Sequence, residues 1–357
     1  MKEIEKKLFL LVRVGLKNSK LSLIKDVEWA ELFRMAQDQG LVGVVLDGIN
    51  RCFESRVCLD MDFYTKMDFI GLVTQMEQQY QLHEKNLREL AAFYQKHGIK
   101  MMVLKGYGLS KNYPVPSHRP CGDIDIYLYG EQERADLLIH DELGIVVDKS
   151  HHHHTVFQFQ GETVENHYDF LNVHVRPSNK RIEKKLKELA NHNANENQNE
   201  NIVFPSVEFN AIYLLRHCAA HFASTEMTVR QILDWGLFME KHHKEIKWNE
   251  YVPYLKEEGM YRFYNLLGLF CMTYLGFDAS IFHGLFSDDL LQRFSNEILE
   301  PEFKDRENGK LLHSLSVKPR RWWHNRWKNR LCYKDGAWEE FAYGLWAKVL
   351  KPSHFIQ

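Results

Sequence analysis

Between residues 99 and 168 the sequence changes its period, and that island limits what the chain can fold into. Ile99–Leu104 (IKMMVL) and Ile124–Tyr129 (IDIYLY) are short, continuous apolar runs with the length and texture of buried strands. Ile145–Asp148 is a further candidate. Thr155–Gln160 (TVFQFQ) and Thr163–Tyr168 (TVENHY) read as a strand pair, with Gly161-Glu162 between them suited to a hairpin turn. On both sides of the island, apolar residues recur every three or four positions instead. WAELFRMAQDQGLVGVVLDGI, GLVTQMEQQYQLHEKNLRELAAFYQKHG and SVEFNAIYLLRHCAAHF all have this helical spacing. Gly98 stands where a helix C-terminal glycine would.

The expectation is therefore an α+β protein in three regions: helical over 1–97, mixed sheet and helix over 98–205, and helical again over 206–357. Lys180–Ala190 reads as a charged surface helix, and the amide-rich tract NHNANENQNEN at 191–201 as a solvated loop. The longest apolar stretch, Phe263–Phe277, contains Asn265 and falls short of the roughly 20 residues a membrane helix needs, so a buried helix is expected there. Near the amino terminus the run Leu8–Val12 is broken by Arg13 with no small-residue cleavage site after it, which argues against a signal sequence. The six cysteines include no Cys-x-x-Cys pair, so reduced thiols and a cytoplasmic location fit better than a zinc knuckle or a disulfide framework.

Chemistry concentrates in MMVLKGYGLSKNYPVPSHRPCGDIDIYLY, residues 101–129. Asp123 and Asp125 lie two apart at the start of a strand, and the two-residue period aims both carboxylates at one face. Two such anions repel each other, and a divalent cation offsets the repulsion. Oxygen ligands suit Mg2+ or Mn2+, which also bind substrate phosphates. Glu165 adds a carboxylate on a later strand, with Val164 pointing the other way. Two aspartates on one strand and an acid on its neighbour is an arrangement for metal-assisted displacement at phosphorus. Lys105-Gly106 follows the first strand at a turn into a helix, where a phosphate could be met. Arg119 offers a guanidinium fork for another phosphate oxygen.

These residues resemble a known pattern. A strand, a glycine turn, an Asp-x-Asp strand and a later strand with a third carboxylate look like the nucleotidyltransferase fold of the polymerase beta superfamily. Leu104-Lys105-Gly106, Arg119-Pro120-x-Gly122-Asp123-Ile124-Asp125 and Val164-Glu165-x-His167 resemble, more narrowly, the uncharacterised nucleotidyltransferases. The resemblance covers roughly 80–235 and extends to Arg230–Asp234, similar to that family's Arg-x-x-x-Asp pattern. It implies that 98–205 is a nucleotidyltransferase core and that Asp123, Asp125 and Glu165 hold catalytic Mg2+ or Mn2+. Lys105, Gly106, Arg119 and His167 would then contact the nucleotide or its phosphates. Lys105-Gly106 departs from the Gly-Ser or Gly-Gly of the wider superfamily. The implied reaction moves a nucleoside monophosphate from an NTP to an acceptor hydroxyl on a small molecule or a protein. The alternative is a non-catalytic module that binds nucleotide or a partner.

Other features have plainer readings. Adjacent side chains on a strand alternate faces, so the run His151–His154 is expected to be a polar stretch rather than a metal site. Arg216, His217 and His221 lie on one helix, and His217 and His221 share a face but lack a metalloprotease glutamate between them, so core packing is the expectation, with lining of the nucleotide cleft as the alternative. Asp234 is expected to pair with Arg230, and His174 to be structural. Lys318–Arg330 (KPRRWWHNRWKNR) mixes six basic residues with three tryptophans; it reads as a packed amphipathic segment, with weak phosphate or membrane-surface contact as the alternative. With 48 acidic against 46 basic residues and a net charge of −2, no global field draws the chain to long nucleic acid.

Overall fold

The computed structural model describes residues 1–19, 24–57, 59–151, 153–196, 201–224, 227–284, 287, 289–302, 311–336 and 339. Four helices open the chain: α1 Glu3–Gly15, α2 Trp29–Asp38, α3 Val42–Glu54 and the long α4 Phe63–Lys96. The central part runs β1 Met101–Val103, α5 Gly106–Ser110, β2 Ile124–Tyr127, α6 Gln132–Leu143, β3 His154–Phe159, β4 Glu162–His167, α7 Pro177–Glu196 and β5 Ile202–Val203. Helices α8 Val207–Ser224, α9 Val229–His242, α10 Trp248–Glu257, α11 Tyr261–Phe270, α12 Leu291–Leu299 and α13 Leu311–Cys332 follow. The chain is thus a mixed sheet flanked by helical regions on both sides, a nucleotidyltransferase-like arrangement.

The five strands lie in the order β3-β4-β2-β1-β5. β4 runs parallel to β2, and Asp125 is in register with Glu165. β1 is antiparallel to β2 and parallel to β5. One face of the sheet, carrying Met101, Val103, Ile124, Ile126, Phe157, Phe159 and Val164, packs on Leu87, Leu90 and Tyr94 of α4 and on Ala135 and Ile139 of α6. Burying each large apolar side chain there contributes about 1.5–3 kcal/mol. Buried polar groups pin the same face. Asp136 accepts hydrogen bonds from Thr155 and Asn166, and Glu162 accepts from Asn86 at 2.7 Å and Gln79 at 2.9 Å, with His83 at 3.0 Å.

On the opposite face Met102, Leu104 and Tyr127 join Phe170, Phe209 and Tyr213 in the larger core. That core also holds α1 and the C-terminal helices, with Phe9 stacked 5.4 Å from Tyr274. α1 crosses α3 so closely that a Cβ on Gly48 would fall 2.2 Å from the Leu11 carbonyl oxygen, which makes glycine a packing requirement.

Several local expectations change. Ile145–Asp148 is no strand; Asp148 makes only an isolated bridge to Val156. The hairpin loop is Gln160-Gly161, both with positive φ, so Glu162 already belongs to β4 and pairs with Phe159. The expected loop at 191–201 is helical through Glu196, because its amides find tertiary partners: Asn193 is buried and donates to the Phe204 carbonyl. Residues 197–200 lie outside the described residues. The expected buried helix is α11, whose last turn widens into a π turn at Cys271–Leu275. No helix among the described residues is long and apolar enough to cross a membrane. In α13, Trp327 packs edge-on to Phe222 and Lys328 pairs with Glu297 at 2.7 Å, whereas Trp323 is exposed. The packed reading of 318–330 therefore holds for Trp327 and Lys328 and fails at Trp323; the side chains of residues 318, 319 and 322 lie outside the described residues.

Candidate active site

The second face of the sheet forms one wall of a cavity of about 770 Å3, and α8, α9 and α13 supply the other walls. Lys105, Gly106, Arg119, Asp123, Asp125, Glu165 and His167 all line it. The strand period brings the acids together: Asp123 precedes β2, Asp125 lies on it, and the parallel register sets Glu165 beside Asp125. Val164 points into the opposite core.

Ligand atoms of Asp125, Glu165 and His167 lie within 4.8 Å of one another, and Asp123 lines the same cavity just outside this group. His167 Nε2 is 2.9 Å from Asp125 Oδ1 and 3.4 Å from Glu165 Oε2. Lys105 Nζ reaches the same Asp125 oxygen at 2.6 Å. The lysine backbone has φ 42°, a region L residues rarely occupy, and it sits immediately before the five-residue α5. That helix is too short for its N-terminus to gather an anion, so the lysine charge is what the turn offers.

Burial opposes ionisation throughout this cluster, and the neighbours decide the outcome. Asp125 is 3 % exposed, yet Lys105 and His167 overcome burial and hold its carboxyl well below the usual range. Lys105 and His167 are pushed up in turn, because the carboxylates outweigh the burial that would strip their protons. Asp123 moves the other way: burial, then the charge of Asp125, raises it. Glu165 is lowered despite burial, mainly through its hydrogen bond to His167. The donor set suits a divalent cation, since two oxygen ligands and an imidazole converge with a third carboxylate nearby, and a buried ammonium now balances the charge such an ion would balance.

Arg119 does not present an open fork. Its Nε and Nη2 donate to the two oxygens of Asp234 at 2.8 and 2.9 Å, and Tyr113 donates to the same carboxylate at 2.7 Å. The expected Arg230–Asp234 pair is therefore replaced by a buried bridge from the segment before β2 to α9. Arg230 also lines the cavity but donates through Nη1 to the Pro120 carbonyl, and its buried Nε has no hydrogen-bond partner.

Sequence reasoning missed one group and gave another its second reading. His153 and His154 enter the cavity beside His167, with ligand atoms of all three within 4.8 Å. The alternation rule failed here because β3 begins at His154, and His153 lies in a bend where side chains need not alternate. At the far end, Arg216 is 1 % exposed, bonds Asn179 and Ser178, and lies over the Tyr333 ring at 4.3 Å. His217 and His221 also line the cavity rather than only the core, and burial lowers His221 to about 4. His174 is exposed.

Neither the curated proteins nor the solved structures include a match to the chain. A family model described as "Uncharacterised nucleotidyltransferase" does match, over residues 25–276, which spans α2 through the π turn after α11 and contains every acid of the site. With more than two thirds of its length matched, the chain belongs to the uncharacterised nucleotidyltransferase family of the polymerase beta superfamily.

Proposed function

We propose that the protein transfers a nucleoside monophosphate from an NTP to an acceptor hydroxyl, with Mg2+ or Mn2+ held by Asp123, Asp125 and Glu165. The observation that carries this reading is the parallel register of Asp125 with Glu165 on the wall of a cavity large enough for a nucleotide, in a chain of this family. The bound ion would supply Lewis-acid stabilisation of phosphate charge. In the reaction the acceptor oxygen bonds to the α-phosphorus as the bond from that phosphorus to the bridging β-phosphate oxygen breaks, and pyrophosphate leaves. Glu165, held ionised by His167, receives or orients the acceptor proton. Lys105 and Arg230 neutralise the triphosphate, while Arg119, tied to Asp234, adds charge from the wall. The helices of the far wall select the acceptor, a small molecule or a protein side chain. Among the described residues five cysteines are free, four of them buried, which favours a reducing cytoplasmic setting.

Pyrophosphate release from each NTP, with Mg2+ or Mn2+ and a panel of hydroxyl acceptors or lysate proteins, tests the reading. Turnover that disappears in Asp123→Asn is the expected result. One observation favours the second reading, a nucleotide-binding module: Lys105 already occupies the carboxylate oxygen that a metal would need. Metal-dependent nucleotide binding by calorimetry with no pyrophosphate from any acceptor would decide for the module.

A further inference from the structure

The carboxylates and His167 account for one side of the cavity wall; His153 and His154 beside them do not belong to that set. We propose that His153, His154 and His167 form a nitrogen-donor site for a borderline divalent transition ion, with Zn2+ the best chemical fit, its open coordination position facing the cavity.

Three observations carry this. First, ligand atoms of the three imidazoles lie within 4.8 Å of one another. Nitrogens on a tetrahedral ion stand about 3.3 Å apart, a change that modest ring rotations supply. Secondly, the positions are built rather than accidental. His154 is the cross-strand partner of His167 at the open end of the hairpin, so their side chains share a face. The His153 carbonyl accepts from the backbone amides of Tyr168 and Asp169 at 3.0 and 3.1 Å, which fastens the bend to the end of β4. The His151 ring stacks behind His154 at 4.7 Å. Thirdly, His154 is 8 % exposed, and its Nδ1 has no hydrogen-bond partner. A buried polar nitrogen left this way costs about 1–3 kcal/mol, which a ligand offsets.

The donor type sets the ion. Imidazole suits Zn2+, Co2+ or Ni2+, whereas Mg2+ prefers the oxygens of the neighbouring acids. Glu165 Oε1, 3.9 Å from His154 Nε2, supplies the outer carboxylate that commonly orients a ligating histidine. Three protein nitrogens leave a fourth position for water or a substrate atom. His167 belongs to both donor groups, so the two ions would be coupled through one side chain.

The test uses the full chain stripped of metal and titrated with Co2+ in excess Mg2+. The expected result is one Co2+ per chain with the intense visible absorption of a four-coordinate centre, resistant to Mg2+ and displaced by Zn2+. His153→Ala/His154→Ala should weaken Co2+ by more than the roughly 10–100-fold that loss of an outer partner costs. Weak absorption that Mg2+ abolishes, or an unchanged spectrum in the double variant, overturns the site. Should the double variant fail to fold by circular dichroism, X-ray absorption of the Zn2+-loaded wild type decides: three imidazoles support the site and an oxygen shell overturns it. The site stands apart from the transfer reading. Asp123→Asn should keep the Co2+ spectrum while losing pyrophosphate release, so either can fail alone.

Discussion

The two faces of the central sheet both bury acids, and they treat them differently. On the helical face, Asp136 is satisfied by Thr155, Asn166 and Gln132, and Glu162 by Asn86, Gln79 and His83, all at 2.7–3.0 Å. Neither acid lines the cavity, and each acts as a fastener between strand and helix. On the cavity face, Asp125, Glu165 and Asp123 crowd together and rely on Lys105 and His167 for charge balance. Buried acids whose acceptor sites are filled by donors from α4, β3, β4 and α6 hold a fold together. Buried acids balanced by side-chain cations can exchange those cations for a charged ligand, which suits a binding site.

Substitutions on the two faces should therefore separate activity from stability. Asp125→Asn is expected to lower nucleotide transfer by about 10²-fold or more, because it removes charge the reaction needs; a pyrophosphate assay that finds near-wild-type turnover breaks the contrast. Asp136→Ala should instead destabilise the chain by about 2–4 kcal/mol in urea unfolding, leaving Thr155 and Asn166 buried without their acceptor. Its folded fraction should retain the metal response. Arg119→Lys tests a case between the two. Replacing the bidentate fork on Asp234 should cost roughly 1–3 kcal/mol of stability, and a fall in turnover far beyond the folded fraction would return Arg119 to direct phosphate contact.

The smallest expected effect concerns pH. Burial raises Glu183 to about 7, although the backbone amides of Phe170 and Leu171 donate to it. A carboxyl with a folded pKa above its unfolded one near 4.5 binds its proton more tightly when folded. Its contribution is present below about 4.5 and is lost as pH rises towards about 7. Glu183→Gln should flatten that part of the stability profile by roughly 1–3 kcal/mol, measured as unfolding midpoints across the window. A profile unchanged by the substitution would place this acid with the satisfied group.

Much of this was readable in the sequence because strands and their period are local properties. Four of the five strands showed as continuous apolar or alternating runs, and the two-residue period alone put Asp123 with Asp125 and turned Val164 away from Glu165. What escaped depends on distant partners. β5 is two residues long and exists because Met101 and Met102 offer it a register. Asp234 pairs across 115 positions with Arg119 rather than with Arg230, one helical turn away, because α9 docks with that carboxylate towards the segment before β2. The histidine run looked inert because the exact start of β3, which frees His153 from alternation, is not written in composition or period.

The ammonium of Lys105 on Asp125 would make the proposed metal binding an exchange rather than an addition. An arriving divalent ion competes with a cation already tethered in place by the chain, so the donor set alone would overstate the ion's apparent affinity. The displaced lysine does not go idle, because its charge then faces the cavity where the triphosphate is proposed to lie. Metal and nucleotide would consequently reinforce each other's binding, and linkage makes that help reciprocal. A lysine in place of a glycine at this turn would in that sense act as a lock that the two proposed ligands help each other to open.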